Sequence, residues 1–243
     1  MNLVLDIGNT LSKYSVFVSD KIIDQGTWQS LNIIEKFKTW NKINPECQSI
    51  IVSDVYGVDN SIFESIAKCR LVWVSSNISL PFKINYKTPD TLGSDRISLI
   101  ASAVIKYSQK NCLIIDLGTC ITYDFVNEFG EYLGGSISPG FSMRYNSLNT
   151  FTSKLPQLEF NKPDNISGNS TDNSIHSGIY YGILAEVKNQ VSHYKEKLEN
   201  LTVILTGGDA DKLANQIKNV IFANHNFIAK GLHTVLQLNT DEF

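Results

Sequence analysis

The sequence predicts a mixed α/β protein with two similar domains. The first indication is a repeat, because an apolar run followed by Asp, Gly and a small polar side chain occurs at residues 3–10 and again at 113–120. The second is the order of elements predicted for the first half, βββαβαβ, which is typical of helices packed on a sheet. A chain of 243 residues is long enough for two domains. We therefore expect an N-terminal domain at 1–112 and a C-terminal domain at 113–243.

Each copy of the repeat predicts a strand, a tight turn and a second strand, which lies at 13–18 in the first copy and at 121–126 in the second. Glycine in such a turn lets the backbone approach a ligand closely, and backbone N–H groups attract anions such as phosphates. The neighbouring carboxylates, Asp6 and Asp116, are suited to holding a metal ion. Either copy alone is equally typical of a plain hairpin with a polar tip. The repetition favours two turns that grip one polyphosphate.

Composition and charge narrow the class of protein. The hydrophobic set makes up 42% of the chain and charged residues 19%, which is typical of a soluble protein with a sizeable core. The formal net charge of -3, with no block of Lys and Arg, gives no support for binding nucleic acid. The first residues are strand-like, with no cationic leader and no long apolar span. We expect a cytoplasmic protein without a membrane or nucleic-acid partner.

The four cysteines, Cys47, Cys69, Cys112 and Cys120, lie in or beside apolar runs and lack C-x-x-C spacing. We expect reduced thiols in or near the core and no zinc site. The four histidines form no i, i+4 pair, so core, surface or capping roles are expected for them.

The remaining elements of the first half follow from apolar periodicity and chain breakers. We expect strands at 21–28, 49–55 and 70–74 and helices at 31–43 and 61–68.

A polar segment at 85–96 leads into a helix that apolar residues at helical spacing predict for residues 94–110. Gly93 or Ser94 would cap this helix. Asp95 in the first turn complements the helix dipole, but the dipole does not explain Arg96, which is disfavoured there. The pair after a glycine instead indicates a small-molecule site, in which the carboxylate handles a proton and the guanidinium binds an anion.

The second half begins with the repeated hairpin and a glycine-rich loop at 134–140 that introduces a helix at 142–151. Residues 155–173 are expected to form an irregular surface segment. A long helix is predicted from Thr171 or Asp172 to about Leu198, and its Gly178 and Gly182 suggest close packing against another helix or a ligand.

The last elements are shorter. A strand at 201–205 should end in the sequence Thr-Gly-Gly-Asp-Ala at 206–210, where a glycine pair can let a nucleotide lie against the backbone. A helix at 211–217, a strand at 219–223 and a helix at 228–238 complete the chain.

Five motifs stand in one order along the chain. They are Asp-Ile-Gly-Asn-Thr at 6–10, Leu-Gly-Ser-Asp-Arg at 92–96, Asp-Leu-Gly-Thr at 116–119, Gly-Gly-x-Ile-x-Pro-Gly at 134–140 and Thr-Gly-Gly-Asp-Ala at 206–210. Together they resemble the type III pantothenate kinases, a branch of the superfamily of actin, sugar kinases and heat-shock ATPases. The most specific part is the Tyr-x-x-Pro-x-x-Leu-Gly-x-Asp-Arg segment at 86–96, which the other branches lack. Asn-Ser-Thr at 169–171 ahead of Ser-Gly at 177–178 adds to the resemblance.

The resemblance implies two ribonuclease H-like domains with mixed β-sheets, flanking helices and an ATP cleft between them. It implies transfer of the γ-phosphate of ATP to the primary hydroxyl of pantothenate, the first step toward coenzyme A. Two turns would hold the ATP, and the implied ATP-binding residues are Asp6, Ile7, Gly8, Asn9, Thr10, Leu11, Ser12, Lys13 and Thr119. The implied pantothenate-binding residues are Tyr86, Gly93, Ser94, Asp95, Arg96 and Thr171.

Roles for single residues also follow from the resemblance. Asp95 matches the general base, and Asp116 matches the position that holds a monovalent cation, K⁺ or NH₄⁺. Mg²⁺ would accompany ATP, with Asp6 as its nearest carboxylate. Thr171 matches a threonine that reaches the pantothenate pocket of a neighbouring subunit, so a homodimer is implied.

Three other functions stay open from the sequence. The first is a non-catalytic regulator on the same scaffold, which could lose Asp95, Asp116 or Thr171 without penalty, although all three are present. The second is a kinase for another small hydroxylated acceptor, which would not need the 86–96 segment. The third is an α/β protein whose glycine-rich segments are only turns.

Overall fold

The structure, a computed structural model, describes residues 1–213, 216–223 and 226–240. It contains two compact units. The first comprises Met1–Gln109, Phe129–Tyr132 and the described part of His225–Phe243. The second comprises Lys110–Glu128 and the described part of Leu133–Asn224. The predicted domain boundary after residue 112 remains a prediction, but the C-terminal helix belongs to the first unit, although the sequence analysis placed it in the second domain.

The described residues form strands and helices in mixed order. The strands are β1 (Asn2–Ile7), β2 (Leu11–Val18), β3 (Lys21–Gln29), β4 (Ser49–Asp54), β5 (Arg70–Trp73), β6 (Lys83–Ile84), β7 (Asn111–Leu117), β8 (Cys120–Val126), β9 (Glu131–Pro139), β10 (Leu201–Thr206) and β11 (Ile221–Phe222). The α-helices are α1 (Ile33–Ile43), α2 (Asn60–Ile66), α3 (Ser94–Lys106), α4 (Phe141–Thr150), α5 (Thr171–Lys197) and α6 (Asn226–Thr240). The predicted mixed α/β class, and the order βββαβαβ of the first half, are confirmed.

The first unit is built on a five-stranded sheet in the order β3-β2-β1-β4-β5. Strand β1 pairs antiparallel with β2, so that Asp6 lies opposite Lys13, and parallel with β4, so that Ile7 lies opposite Asp54. Helices cover both faces of this sheet. Leu3 and Leu5 share a core cluster with residues of α1 and α2, while α6 packs against β1 and β4. Burial on two faces explains why the middle of each strand, residues 3–5 of β1 and 50–52 of β4, is continuously apolar.

The second unit contains the strand order β11-β10-β7-β8-β9. Strand β7 is antiparallel to β8 and parallel to β10, and Asp116 of β7 lies opposite Thr206 of β10. Helix α5 covers this sheet with a buried stripe at helical spacing, formed by Ile175, Ile179, Ile183, Val187 and Val191. The long predicted helix is therefore confirmed, within one residue of its expected end. The long segment before it, residues 155–169, forms neither helix nor strand.

The predicted glycine-rich loop at 134–140 is wrong, because its residues 134–139 are the end of strand β9. Glycines and a proline normally indicate a loop. Here the strand β6, which pairs with Glu131 and Tyr132, is too short to reach the rest of β9. Among the described residues, the rest of β9 has only one neighbouring strand, β8, so it forms an edge of the sheet. An edge strand tolerates proline and glycine.

Two predicted helices are longer than the structure has them. Helix α3 ends at Lys106 instead of Lys110, and Gln109 has a φ of 58°, which no α-helix continues through. The helix predicted at 211–217 is wrong, because residues Ala210–Leu213 form a short 3₁₀ helix. Residues 214 and 215 of that prediction lie outside the described residues, as does His225. In the part of the chain that the structure describes, no helix combines the length and the apolar character needed to span a bilayer.

Candidate active site

The first repeated turn joins β1 to β2 through residues 8–10, and hydrogen bonds from Ser30 hold it in place. The Ser30 hydroxyl donates to the carbonyl oxygen of Gly8 at 2.7 Å and lies 2.9 Å from the hydroxyl of Ser12. The N–H of Gly8 donates to the carbonyl of Leu11 at 3.2 Å. A Cβ on Gly8 would lie 2.9 Å from that carbonyl oxygen, so the turn requires glycine. Its exposed residues are Asn9, Thr10, Leu11 and Lys13.

The carboxylate of Asp6 lies at the start of this turn among three polar groups. Burial raises the pKa of Asp6 above its usual value, while the opposing Lys13 and a hydrogen bond from Ser53 lower it. The negative charge of Asp95 raises the pKa of Asp6 further, which shows that the two carboxylates are neighbours. The structure therefore brings Asp6, Lys13 and Asp95 together within the first unit.

Asp95 occupies the first turn of α3, and Gly93 makes room for it. One Asp95 carboxylate oxygen, Oδ1, accepts a hydrogen bond from the backbone N–H of Arg96 at 2.7 Å. A Cβ on Gly93 would lie 2.5 Å from the same oxygen. The backbone of Gly93, with φ of -58°, suits any residue, so the requirement for glycine here concerns space beside the carboxylate.

Ser94 fixes the start of α3 to the end of β4. Its hydroxyl donates to the backbone carbonyl of Asp54 at 2.8 Å and accepts from the backbone N–H of Asp54 at 2.9 Å. The hydroxyl of Ser53 lies 3.4 Å away. Ser94 is buried, and these contacts hold the first residue of α3, next to Asp95, against the end of β4.

Arg96 is a buried cation whose guanidinium reaches a second segment of the chain. Its Nη2 donates to the phenol oxygen of Tyr132 at 2.7 Å, and only 6% of the arginine is exposed. The rings of Tyr86 and Tyr132 lie 5.8 Å apart, centroid to centroid. The structure thus gathers Tyr86, Tyr132 and Arg96, a set with the guanidinium and aromatic surface that a carboxylate-bearing ligand requires.

The second repeated turn lies in the second unit, after Asp116, and two glycines pack against it. A Cβ on Gly140 would lie 2.2 Å from the carbonyl oxygen of Gly118, and the N–H of Gly140 donates to the carbonyl of Thr119 at 3.0 Å. Gly207 has a φ of 99°, and a Cβ there would lie 2.5 Å from Oδ1 of Asp116. Three motifs of the second half therefore meet at one turn, whose tip, Thr119, is exposed.

Thr171 is exposed at the start of α5, where Ser170 caps the helix by accepting from the N–H of Asn173 at 3.2 Å. Thr171 lines a cavity of about 690 Å³ together with Arg144, Ser147, Leu148, Leu155, Ser174, Ile175, Gly178 and Ile179. A Cβ on Gly178 would meet no described residue of the chain within 4 Å, so of the two expected partners, another helix or a ligand, no described helix of this chain packs there.

The predicted residues therefore form two groups, one in each unit. The first contains the Asp6–Lys13 turn, Asp95, Arg96 and Tyr86, and the second contains Asp116 and Thr119. Ile7 and Ser12 are fully buried, including their backbone, so the structure does not expose these two predicted ATP-binding residues. Sequence reasoning missed Ser30, Ser53 and Tyr132, which act through their neighbours and belong to no motif.

A divalent cation fits the first group. Within the described ranges, no three His, Cys, Asp or Glu side chains form a metal site of their own. Mg²⁺ in phosphoryl-transfer sites needs only one or two carboxylates, because water and the phosphates of the substrate complete its coordination. The neighbouring carboxylates Asp6 and Asp95 repel each other, and a cation beside Asp6 would relieve that repulsion.

Solved structures of similar fold define the class of protein. A Campylobacter jejuni protein described as belonging to the Baf family of transcriptional activators aligns with a TM-score of 0.63 at 22% identity, over 99% of this chain and 100% of its own. MreB5 of Spiroplasma citri, bound to ADP, aligns with a TM-score of 0.55 at 9% identity, over 99% and 98%. The activator of 2-hydroxyisocaproyl-CoA dehydratase from Clostridium difficile, with bound ADPNP, gives 0.53 at 15%, over 98% and 95%. The chain has the fold of the actin-like ATPases and sugar kinases.

Sequence comparison then gives the family. A model of the type III pantothenate kinase family matches residues 2–193. A type III pantothenate kinase from Christiangramia forsetii is 43% identical over 240 residues, which cover 98% of this chain and 99% of the relative. One from Flavobacterium psychrophilum is 39% identical over 238 residues, with coverage of 98% and 99%. The chain belongs to the type III pantothenate kinase family, as the five motifs predicted.

Proposed function

We propose that this protein transfers the γ-phosphate of ATP to the primary hydroxyl of pantothenate, forming 4'-phosphopantothenate in the first step toward coenzyme A. Membership of the family over nearly the whole chain supports the reaction. The observation that carries the assignment of residues is the start of α3. There a carboxylate, Asp95, lies beside Asp6, and the next residue, Arg96, is a buried guanidinium.

In this proposal, each of the two repeated turns supplies groups that bind phosphates of ATP. The N–H of Gly8 and that of Gly118 are used inside their own turns, where they donate to the carbonyls of Leu11 and Cys120. The groups offered to the nucleotide are therefore those of the exposed residues, Asn9, Thr10, Lys13 and Thr119. The ammonium of Lys13 neutralises charge on phosphate oxygens, which is where phosphoryl transfer needs it most.

Two cations complete the charge balance. Asp6 holds Mg²⁺ that accompanies ATP, and Asp116 holds a monovalent cation, K⁺ or NH₄⁺. The Mg²⁺ neutralises charge that develops on the phosphate oxygens when it is bound. Gly207 supports the second assignment, because its backbone packs so closely against Asp116 that a Cβ would lie 2.5 Å from Oδ1, and this contact helps to hold the carboxylate in place.

Asp95 and Arg96 act on different groups of the acceptor, pantothenate. The guanidinium of Arg96 pairs with the carboxylate of pantothenate, which directs the hydroxyl end of the substrate toward ATP. The hydroxyl oxygen forms a bond to the γ-phosphorus, the bond from that phosphorus to the ADP oxygen breaks, and the hydroxyl proton passes to Asp95. Because the proton leaves late in such a loose transition state, an ordinary carboxylate is a sufficient base.

The active form is a homodimer in this proposal, with Thr171 contributing to the pantothenate pocket of the partner subunit. Thr171 is exposed and lines a cavity with apolar side chains such as Leu148 and Ile179, and the open space at Gly178 allows a close approach. An unfilled apolar surface around an exposed polar group is suited to a subunit interface. Sedimentation at micromolar concentration should show a dimer, and an active monomer would remove Thr171 from the shared pocket.

Membership of the kinase family does not favour the alternative of a non-catalytic regulator. Similarity to the Campylobacter jejuni protein supports only a common fold, because the identity is 22%. A regulator has no need for the contacts that hold Asp95 beside Asp6 or keep Gly93 free of a side chain. A kinase for a different acceptor would in turn have no need for the Tyr86, Tyr132 and Arg96 group.

A coupled assay with purified protein, ATP, magnesium and pantothenate tests the proposed function. ADP should form only when pantothenate is present, and the phosphorylated product should appear in equal amount. Parallel reactions with small sugars and acetate test the other acceptors. ADP formation with one of these at a higher kcat/KM than with pantothenate would contradict the proposal, as would a complete lack of turnover.

A further inference from the structure

A cavity of the first unit contains two cysteines that no proposed catalytic step uses. It has a volume of about 430 Å³, and Cys47, Cys69, Lys38, Lys42 and Lys68 are among the residues that line it. Three of these residues are lysines and none is acidic. The cavity therefore combines a pair of thiols with a positive rim.

The fold places the two thiols side by side. Strands β4 and β5 are parallel neighbours, with Ser49 opposite Arg70. Cys47 lies two residues before Ser49, and Cys69 lies one residue before Arg70. The pairing continues past the strand ends, since the N–H of Arg70 donates to the carbonyl of Gln48 at 3.3 Å. The two cysteines are offset by one residue, so a strand spacing of about 4.8 Å and a rise of about 3.3 Å place their Cα atoms roughly 6 Å apart, which is within the separation of about 4.4–6.8 Å that a disulfide spans. Both residues are free thiols.

The two thiols differ in exposure and in pKa, as the thiols of a reactive pair do. Cys47 is 7% exposed and belongs to the core cluster, whereas Cys69 is partly exposed. The Cys47 thiol donates a hydrogen bond to the carbonyl oxygen of Ser49 at 3.5 Å. Its interaction with Cys69, together with burial, raises the pKa of Cys47, and the same interaction lowers the pKa of Cys69. Cys69 is thus the accessible thiol that becomes a thiolate first, and Cys47 is the protonated thiol behind it.

The geometry points to a dithiol modification site, at which an anionic low-molecular-weight disulfide reacts with Cys69 and Cys47 then closes an intramolecular disulfide. The three lysines at the rim, Lys38, Lys42 and Lys68, are all exposed, so they attract a disulfide that carries carboxylates. The cavity supplies room for the attached thiol before closure.

The chemistry balances in two exchange steps. The Cys69 thiolate attacks one sulfur of the small disulfide, which forms a mixed disulfide on Cys69 and releases one small thiolate. Cys47 then loses its proton to that thiolate or to water and attacks the sulfur of Cys69. The Cys47–Cys69 bond forms, the mixed disulfide breaks, and the second small thiol leaves. Two protein thiols are oxidised and one small disulfide is reduced.

This site is separate from the candidate active site and does not depend on the proposed function. Cys47 precedes the first residue of β4, whereas Ser53 and Asp54, which contact Asp6 and Ser94, lie at its other end. At about 3.3 Å per residue, the two ends are roughly 20 Å apart.

The test uses glutathione disulfide and mass spectrometry of the intact full-length chain. The wild type should lose two thiols and end as the Cys47–Cys69 disulfide, with only a transient glutathione adduct, and dithiothreitol should restore it. Cys47→Ser should stop at one stable adduct on Cys69. Cys69→Ser should leave Cys47 unmodified, because that thiol is buried. Cys120→Ser is the matched control, since Cys120 is also partly exposed, and it should react like the wild type.

A second experiment tests whether the lysines attract the anionic disulfide. In the double variant Lys42→Gln and Lys68→Gln, the rate with glutathione disulfide should fall roughly tenfold at low salt, while the rate with the neutral hydroxyethyl disulfide should not change. An equal fall with both reagents would contradict the role of charge in recognition.

Two results would overturn the site as a whole. One is first modification at Cys120 or at Cys112, whose pKa burial raises to about 11. The other is a wild-type adduct on Cys69 that persists while Cys47 stays free. Should Cys47→Ser fail to fold, timed trapping of the wild type with N-ethylmaleimide and peptide mapping gives the same order of events.

Discussion

The guanidinium of Arg96 donates a hydrogen bond to the phenol oxygen of Tyr132 over 2.7 Å, although the two residues are 36 positions apart in the chain. Tyr132 belongs to the short segment Phe129–Tyr132 that leaves the second half of the sequence to join the first compact unit. Both side chains are buried. The bond fixes the direction of the guanidinium that we propose binds the carboxylate of pantothenate.

Tyr132→Phe removes the acceptor and keeps the ring. A hydrogen bond to a charged group contributes about 1.5–3 kcal/mol, so we expect KM for pantothenate to rise roughly tenfold or more while kcat changes little. Steady-state kinetics with pantothenate as the varied substrate measure this, and Tyr107→Phe at the end of α3 serves as the control. A fall in kcat with an unchanged KM would show that Tyr132 acts on the reaction step.

Gly93→Ala places a Cβ 2.5 Å from Oδ1 of Asp95, and the short carboxylate side chain must move away. Misplacement of a catalytic group by about 1 Å costs up to roughly a hundredfold in rate, so kcat should fall between about ten- and a hundredfold with little change in thermal stability. Gly182→Ala is the matched control, since a Cβ there makes only an ordinary contact at 3.7 Å with Arg144. Equal kcat for both variants would disconnect Gly93 from the position of Asp95.

Exchange of potassium for sodium should depress turnover if Asp116 holds a monovalent cation. Gly207 packs closely enough to fix the carboxylate of Asp116, since a Cβ there would lie 2.5 Å from Oδ1, and a fixed site distinguishes ions by their size. The coupled assay in potassium, ammonium and sodium salts at constant ionic strength measures the effect. Asp116→Asn should reduce the difference between the salts, and a wild type indifferent to the cation would remove Asp116 from this role.

His233 predicts a pH dependence of stability. Its ring is buried, stacks on Phe17 at 4.1 Å and lies 3.3 Å from the Nδ2 atom of Asn2. Burial lowers the pKa of His233 below its usual value of 6.5, with a smaller opposing effect from Asp20. The unfolded chain therefore binds this proton at a higher pH than the folded chain, and stability is lost as the pH falls below about 6.5.

Urea unfolding at pH 7.5 and pH 5.5 measures this loss for the wild type and for His233→Gln, which cannot titrate but can still bond to Asn2. The free energy of unfolding should fall further in the wild type than in the variant. The same fall in both proteins would assign the pH dependence to other groups.

The fold was predictable to a large extent because its main signals are local. The apolar runs of β1, β4 and β7 and the apolar spacing along α3 and α5 all predicted elements that the structure contains. Strand β6 was missed because two residues carry no periodicity. Strand β9 was mistaken for a loop because it contains glycines and a proline. These residues are tolerated at the edge of the sheet, and that position depends on strands that are distant in sequence.

The candidate site was predictable where a residue belongs to a motif, as Asp6, Asp95, Arg96 and Asp116 do. It was not predictable where one residue supports another across the fold. Ser53 donates to Asp6 from the neighbouring strand, and the contact of Gly207 with Asp116 joins two motifs 91 positions apart. Such relationships depend on strand register, which a single sequence does not contain.

The central claim is that Asp95 accepts the proton of the pantothenate hydroxyl while other residues bind ATP. Asp95→Asn, which keeps the size of the side chain, tests it most directly when kcat and the affinity for Mg-ATP are measured on the same preparation. The account predicts a fall in kcat of roughly a hundredfold or more with the affinity for ATP unchanged. Turnover close to that of the wild type would contradict it.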